Sequence, residues 1–122
     1  MNLDAPTLRQ VSERFLMHGD FVVAERYGTG HINDSFAVTF DQGGERVRYL
    51  LQRLNTQIFK APRDLMSNVV GVTDHIRAKL QREGLPSSQR VLTLIPVQAS
   101  GESFLDDPVL GFWRCYFYQH QL

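Results

Sequence analysis

The chain contains a single cysteine, Cys115, among 122 residues. One thiol cannot close an internal disulfide, and no Cys/His cluster has the spacing of zinc ligands. An excess of either charge is missing too: thirteen Lys and Arg offset thirteen Asp and Glu, with no dense run of one sign. Nucleic acids and acidic membranes are held by basic surfaces that release counterions, so neither is an expected partner. No apolar run approaches the ~18 residues of a membrane span, and "MNLDAPTLRQ" lacks the basic-then-apolar order of a secretion signal. A reducing, cytoplasmic setting is the expectation. Repeats, low-complexity tracts and linker-like stretches are also absent. The length suits one domain, which can bury about two-thirds of its unfolded surface.

What is present has clear periodicity. Leu8, Val11 and Phe15 share a helical face, with Thr7 and Gln10 at capping-box spacing and Gly19 as a stop. "FVVAERY" and "DSFAVTF" read as strands, "DQGG" as a hairpin turn and "RVRYLLQRL" as a third strand. The period then changes. Leu65, Val69, Val72, Ile76 and Leu80 mark an amphipathic helix that opens near Pro62 and ends before Gly84. "RVLTLIPV" reads as a fourth strand, a short "SFL" can pair, and "GFWRCYFY" is the last strand. Strands joined by tight hairpins imply an α+β fold: an antiparallel sheet of about five strands, one helix packed on a face, and an N-terminal helix.

The segment "ERYGTGHINDSFAVTF" carries the functional question. A dinucleotide fingerprint or a Walker loop places its glycines between a strand and a helix, whose N-terminus faces the phosphate. Here the element after the glycines alternates with period two, so neither fits. Strand, glycine loop, strand is instead the arrangement of the phosphate-covering loop of kinases, where glycine lets backbone N–H groups approach phosphate without a Cβ in the way. An ordinary flexible hairpin would use the same two glycines. Such a lobe next needs a cation on its third strand and an acid on the following helix. Arg53 lies on that strand, on the same face as Leu51, which is then placed to touch a nucleotide base. Asp74 lies on the helix, where the plain alternative is a surface pair with Arg77.

"YGTGHINDSFAVTF", "YLLQRLNTQIFKAPRDLMSNVVGVTDHIRAKL", "LTLIPV" and "FWRCYFY" resemble the N-terminal lobe of the phosphotransferase enzyme family of aminoglycoside phosphotransferases and choline kinases. Within it, these stretches resemble the subgroup of N-acetylhexosamine 1-kinases. The resemblance runs from about Phe21 to Tyr118. It implies a kinase-like small lobe that binds ATP with Mg²⁺ and, in an intact enzyme, passes the γ-phosphoryl to a sugar hydroxyl. It further implies that Gly28, Thr29, Gly30 and Asn33 cover the phosphates and that Arg53 contacts the α/β-phosphates. Asp74 then takes the place of the helix acid, with Asn68 and Glu83 as alternatives, and Tyr118 and Gln119 lead into a hinge that pairs with adenine. Asn55 and Thr56 would fix the loop before the helix, with no role assigned toward substrate.

The family's catalytic "HxD…N" loop and the Asp that holds Mg²⁺ belong to a C-terminal lobe, which is not found within residues 1–122. "HGD" at His18–Asp20 has the letters of that loop, but Glu25 stands where Asn is needed and the tripeptide precedes the first strand. The chain on its own is therefore expected to be inactive, with no catalytic residue and no metal ligand assigned. Its expected partners are ATP, a sugar, and either a C-terminal lobe or a second copy docked on the lobe interface. The competing expectations are a non-catalytic interaction or oligomerisation module and a truncated gene fragment.

Overall fold

The computed structural model describes residues 3–28, 33–85 and 93–118. Helix α1 spans Ala5–Ser12 and is followed by strands β1 (Asp20–Arg26), β2 (Asp34–Gln42) and β3 (Glu45–Arg53). Helix α2 spans Pro62–Arg82, and strands β4 (Leu105–Asp107) and β5 (Gly111–Phe117) complete an α+β domain. The five strands form one antiparallel sheet in the order β1-β2-β3-β5-β4. Among the described residues no helix is long and apolar enough to cross a membrane.

The β2–β3 hairpin sets the register of the sheet. Its two-residue turn is Gly43–Gly44, both at positive φ (64° and 94°), which a residue with a Cβ adopts poorly. The Asp41 carboxylate accepts the Gly44 N–H at 2.8 Å. From Gln42 opposite Glu45, pairing runs without a break to Asp34 opposite Arg53. β5 then lies along β3, with Leu51 opposite Cys115 and Arg53 opposite Trp113.

Side chains alternate across the sheet, so neighbouring residues feed different cores. Leu8 and Val11 of α1 pack with Phe36, Val38, Leu51, Trp113 and Cys115 on one face. Met66 of α2 packs with Leu54 and Phe112 on the other. Phe112 and Trp113 are adjacent on β5, yet the two helices they meet cover opposite faces.

Several sequence-based expectations change. The cap of α1 is Asp4, in extended conformation, whose carboxylate accepts the Thr7 N–H at 3.0 Å. The Thr7–Gln10 pair does not cap the helix, which ends before Gly19 is reached. Phe15 joins the core beyond the end of α1, held by a bridge to Val97. The "RVLTLIPV" segment is not a ladder strand. Its first three residues lie outside the described part, and Leu94 and Val97 make only isolated bridges. Phe117 donates to the Thr93 carbonyl and Ile95 to the Cys115 carbonyl, but the next N–H in line, that of Val97, turns to the Glu102 carbonyl instead of continuing the ladder.

Helix α2 begins with Pro62 as expected, and Gly84 follows its end at φ +70°. Its covered side matches the stripe read in the sequence in part: Leu65, Val69 and Leu80 are half-buried, and Leu65 packs against the Met66 cluster. Met66 is fully buried, while Val72 and Ile76 are 58% and 40% exposed. The half-buried side also takes in Val70, Thr73 and Arg77 in place of those two. Packing against a narrow sheet selects one side of a helix that carries apolar residues over a wide arc.

Candidate functional site

The strand–glycine loop–strand arrangement is present. β1 and β2 are antiparallel, and the connection that joins them contains Gly28 at φ +72°, with open space where a Cβ would project. Thr29 and Gly30, together with His31, lie outside the described residues. At the far side of the loop, the Asn33 Oδ1 accepts the backbone N–H of Asn55 at 3.2 Å. That bond ties the loop to the chain leaving β3. The Asn55 carbonyl in turn accepts N–H groups from Ile58 and Phe59, and its side chain accepts that of Gln57, which fixes the turn before α2.

Arg53 ends β3 at this same loop end of the sheet, because the hairpin register sets it opposite Asp34. Its Nε and Nη2 donate to one oxygen of Asp34, at 3.2 and 2.7 Å. The other oxygen of Asp34 accepts from Arg26 Nη1 at 3.4 Å. Arg26 also lies across the ring of Phe36, 5.0 Å from its centroid. Two guanidiniums thus flank one carboxylate, leaving a net positive charge of one beside Gly28 and Asn33. Both side chains of the Arg53–Asp34 pair are 29% exposed, so solvent reaches them and screens the attraction. The stem of Arg53 runs beside Gly111, where a Cβ would stand 3.4 Å from Arg53 Cδ.

The helix acid is not part of this group. Asp74 pairs with Arg77 at 3.4 Å, on an exposed turn of α2 beside a groove of about 270 Å³ that Leu94 and Pro96 also line. Asn68 and Glu83 are both exposed, and the carboxylate bonded to Arg53 is that of Asp34. The physical reason is the alternation of β3. Arg53 shares a face with Leu51 and α1, whereas α2 covers the opposite face. The β3 side chain on the α2 face is Gln52, which donates to Ser35 at 3.0 Å and accepts from Arg114 Nε at 2.9 Å. Arg114, not Arg53, is the cation that reaches toward α2, with Nη1 4.0 Å from the Met66 sulfur.

Leu51 has no exposed surface and sits in the α1-side core between its cross-strand neighbours Phe36 and Cys115. As packed here it offers nothing for a base to touch. Tyr118 lies at the end of β5, edge-on to Tyr27 with centroids 5.5 Å apart, and the Arg48 guanidinium stands 5.0 Å from its ring centroid. Hydrogen bonding with Tyr118, the largest cause, holds the Tyr27 phenol above its ordinary pKa. Gln119 lies outside the described residues.

Sequence reasoning passed over Asp34 and Arg26, although a signal for Asp34 was present. Counting back from the Gly43–Gly44 turn, residue against residue, brings Asp34 opposite Arg53. Among the described residues no three His, Cys, Asp or Glu side chains converge as a metal site. No protein-family model matches the chain.

Proposed function

We propose that this chain is the nucleotide-binding small lobe of a small-molecule kinase, one that acts on an amino sugar or a related sugar. The observation that carries the proposal is the convergence of Gly28, Asn33 and the Arg53 guanidinium at one end of a β-hairpin. Glycine at positive φ with open space beside it suits backbone approach to phosphate oxygens. A planar guanidinium suits charge neutralisation of the α/β-phosphates. Thr29 and Gly30 would complete the covering loop, and the backbone near Tyr118 and Gln119 would meet the adenine. Leu51 would support this strand from the core rather than face the base. Asp74 would serve its own helix.

Transfer of the γ-phosphoryl also needs a group that orients the acceptor hydroxyl and acidic groups for Mg²⁺. Those roles fall to a complementary C-terminal lobe, which would also choose the sugar. The 122-residue chain alone is then inactive, and its part in catalysis is to hold the triphosphate in line.

The test is an NMR titration of the chain with Mg-ATP, beside Arg53→Ala. Shifts confined to Gly28, Asn33, Arg53 and the β1–β2 loop, weakened at least tenfold in the variant, are the expected result. Absence of any shift at these residues up to millimolar nucleotide would overturn the proposal. Sugar phosphorylation after mixing with a matching C-terminal lobe would extend it to the reaction.

A non-catalytic docking module is the second reading, favoured by the apolar groups left in water. Val72 and Ile76 on α2 and Val109 before β5 are all exposed. Apolar surface of this kind favours association when it is contiguous. Light scattering that finds a monomer across a wide concentration range would remove this alternative.

A further inference from the structure

We infer that Asp34 is a positioning residue for phosphate binding: it holds the Arg53 guanidinium by two of its donors and leaves the remaining edge free for a phosphate oxygen. The inference rests on the nucleotide-binding function proposed above and assigns a part of that site to a residue on β2, not to an acid on α2.

Three observations converge on it. The first is the geometry of the pair. Nε and Nη2 of Arg53 both go to one Asp34 oxygen, at 3.2 and 2.7 Å, so this side of the guanidinium is taken and Nη1 points away from it. A guanidinium has five N–H donors in a rigid fork, so anchoring one side fixes the direction of the rest. The second is the bracing of the stem. Gly111, at φ +104°, lets the Arg53 Cγ and Cδ pass within 3.7 and 3.4 Å of where its Cβ would be. A Cβ at 111 would stand at ordinary contact distance from that stem, and it is the positive φ that disfavours one there. The third is the position of Asp34 itself, directly opposite Arg53 in the ladder and one residue after Asn33, so the clamp belongs to the same backbone as the loop. Arg26, on the strand at the other side of the loop, meets the second Asp34 oxygen at 3.4 Å and keeps the carboxylate turned toward the pair.

The physical consequence is preorganisation. A free arginine must surrender rotamer freedom when it binds phosphate, whereas one already held in place gives up less. Charge alone argues the other way. A carboxylate beside a triphosphate repels it, so deleting the carboxylate should strengthen binding if Asp34 did nothing but contribute its charge. The sign of the effect therefore separates the two roles.

The experiment uses the 122-residue chain, Mg-ATP and inorganic tripolyphosphate as probes, and the Arg53 Nε–Hε resonance as a direct monitor of the clamp. That resonance, identified by its loss in Arg53→Lys, should exchange slowly with water in the unaltered chain. In Asp34→Asn it should exchange fast, and both probes should bind about tenfold more weakly, the scale of one charge-assisted hydrogen bond. Asp34→Glu keeps the charge but lengthens the arm, and it should weaken binding as well. It also supplies the answer if Asp34→Asn fails to fold. Equal or tighter binding in the folded variants, with wild-type binding intact, overturns the role of Asp34 and leaves the nucleotide-binding function standing. A slowly exchanging Arg53 Nε–Hε in a wild-type chain that binds neither probe overturns that function, and this inference with it.

Discussion

Truncation of Leu51 is the sharpest test of how the sheet is packed, because the same residue has two incompatible uses. On a nucleotide-facing surface, Leu51→Ala would scarcely affect stability and would weaken ATP relative to tripolyphosphate, which has no base. The structure instead buries Leu51 completely on the central strand, opposite Phe36 on one side and Cys115 on the other, within the cluster that includes Val38 and Trp113. Deleting three carbon atoms there removes their transfer free energy and leaves a cavity, a loss of about 3 kcal/mol for a well-packed leucine. Trp113 is the only tryptophan, lies in the same cluster and is itself fully buried, so its fluorescence reports unfolding of this core. With a urea m-value of about 1.5 kcal/mol per molar, the midpoint should fall by about 2 M. The affinity ratio between ATP and tripolyphosphate should not change in the folded fraction. A loss below about 1 kcal/mol together with a selective loss of ATP binding would refute the packing and return Leu51 to the ligand surface.

Two further outcomes test other parts of the molecule. Met66→Ala should cost about 2–4 kcal/mol and Val72→Ala less than about 0.5, because α2 buries the former and exposes the latter; the reverse order in urea denaturation would mean that the helix is turned about its axis. Cys115 is buried and its thiol is pushed well above the ordinary value by desolvation, so a thiol reagent at neutral pH should modify it only at the rate of opening. The same shift means that the unfolded chain loses a proton near pH 8.5 while the folded chain keeps it, so stability should decline as the pH rises above about 8.5. Fast labelling under native conditions, or a stability that rises through that range, would contradict the burial of this strand.

The order of the elements was legible because it depends on local rules. Period two in "DSFAVTF", the glycine pair at the hairpin and the proline at the start of α2 each specify local backbone geometry from a few neighbouring residues. The pairing of Asp34 with Arg53 follows from one of these, the length of the turn, and needed only counting. Two mistaken expectations came from judging a surface without its partner. The α2 pattern was read as a stripe through Val72 and Ile76, but which arc of a helix is covered depends on where the sheet stands. The cap of α1 was assigned to Thr7, but Asp4 has the extended backbone a cap requires.

By itself, then, the sequence determined the alternation along each strand, and with it that Leu51 and Arg53 share one face while Gln52 takes the other. Only the tertiary structure decided which helix lies against which face. α1 covers the side of Arg53 and α2 the side of Gln52 and Arg114, so the acid that meets Arg53 comes from the adjacent strand and not from the helix. The reason is that alternation is a property of consecutive residues, whereas the choice of face is made by contacts between segments far apart in the chain.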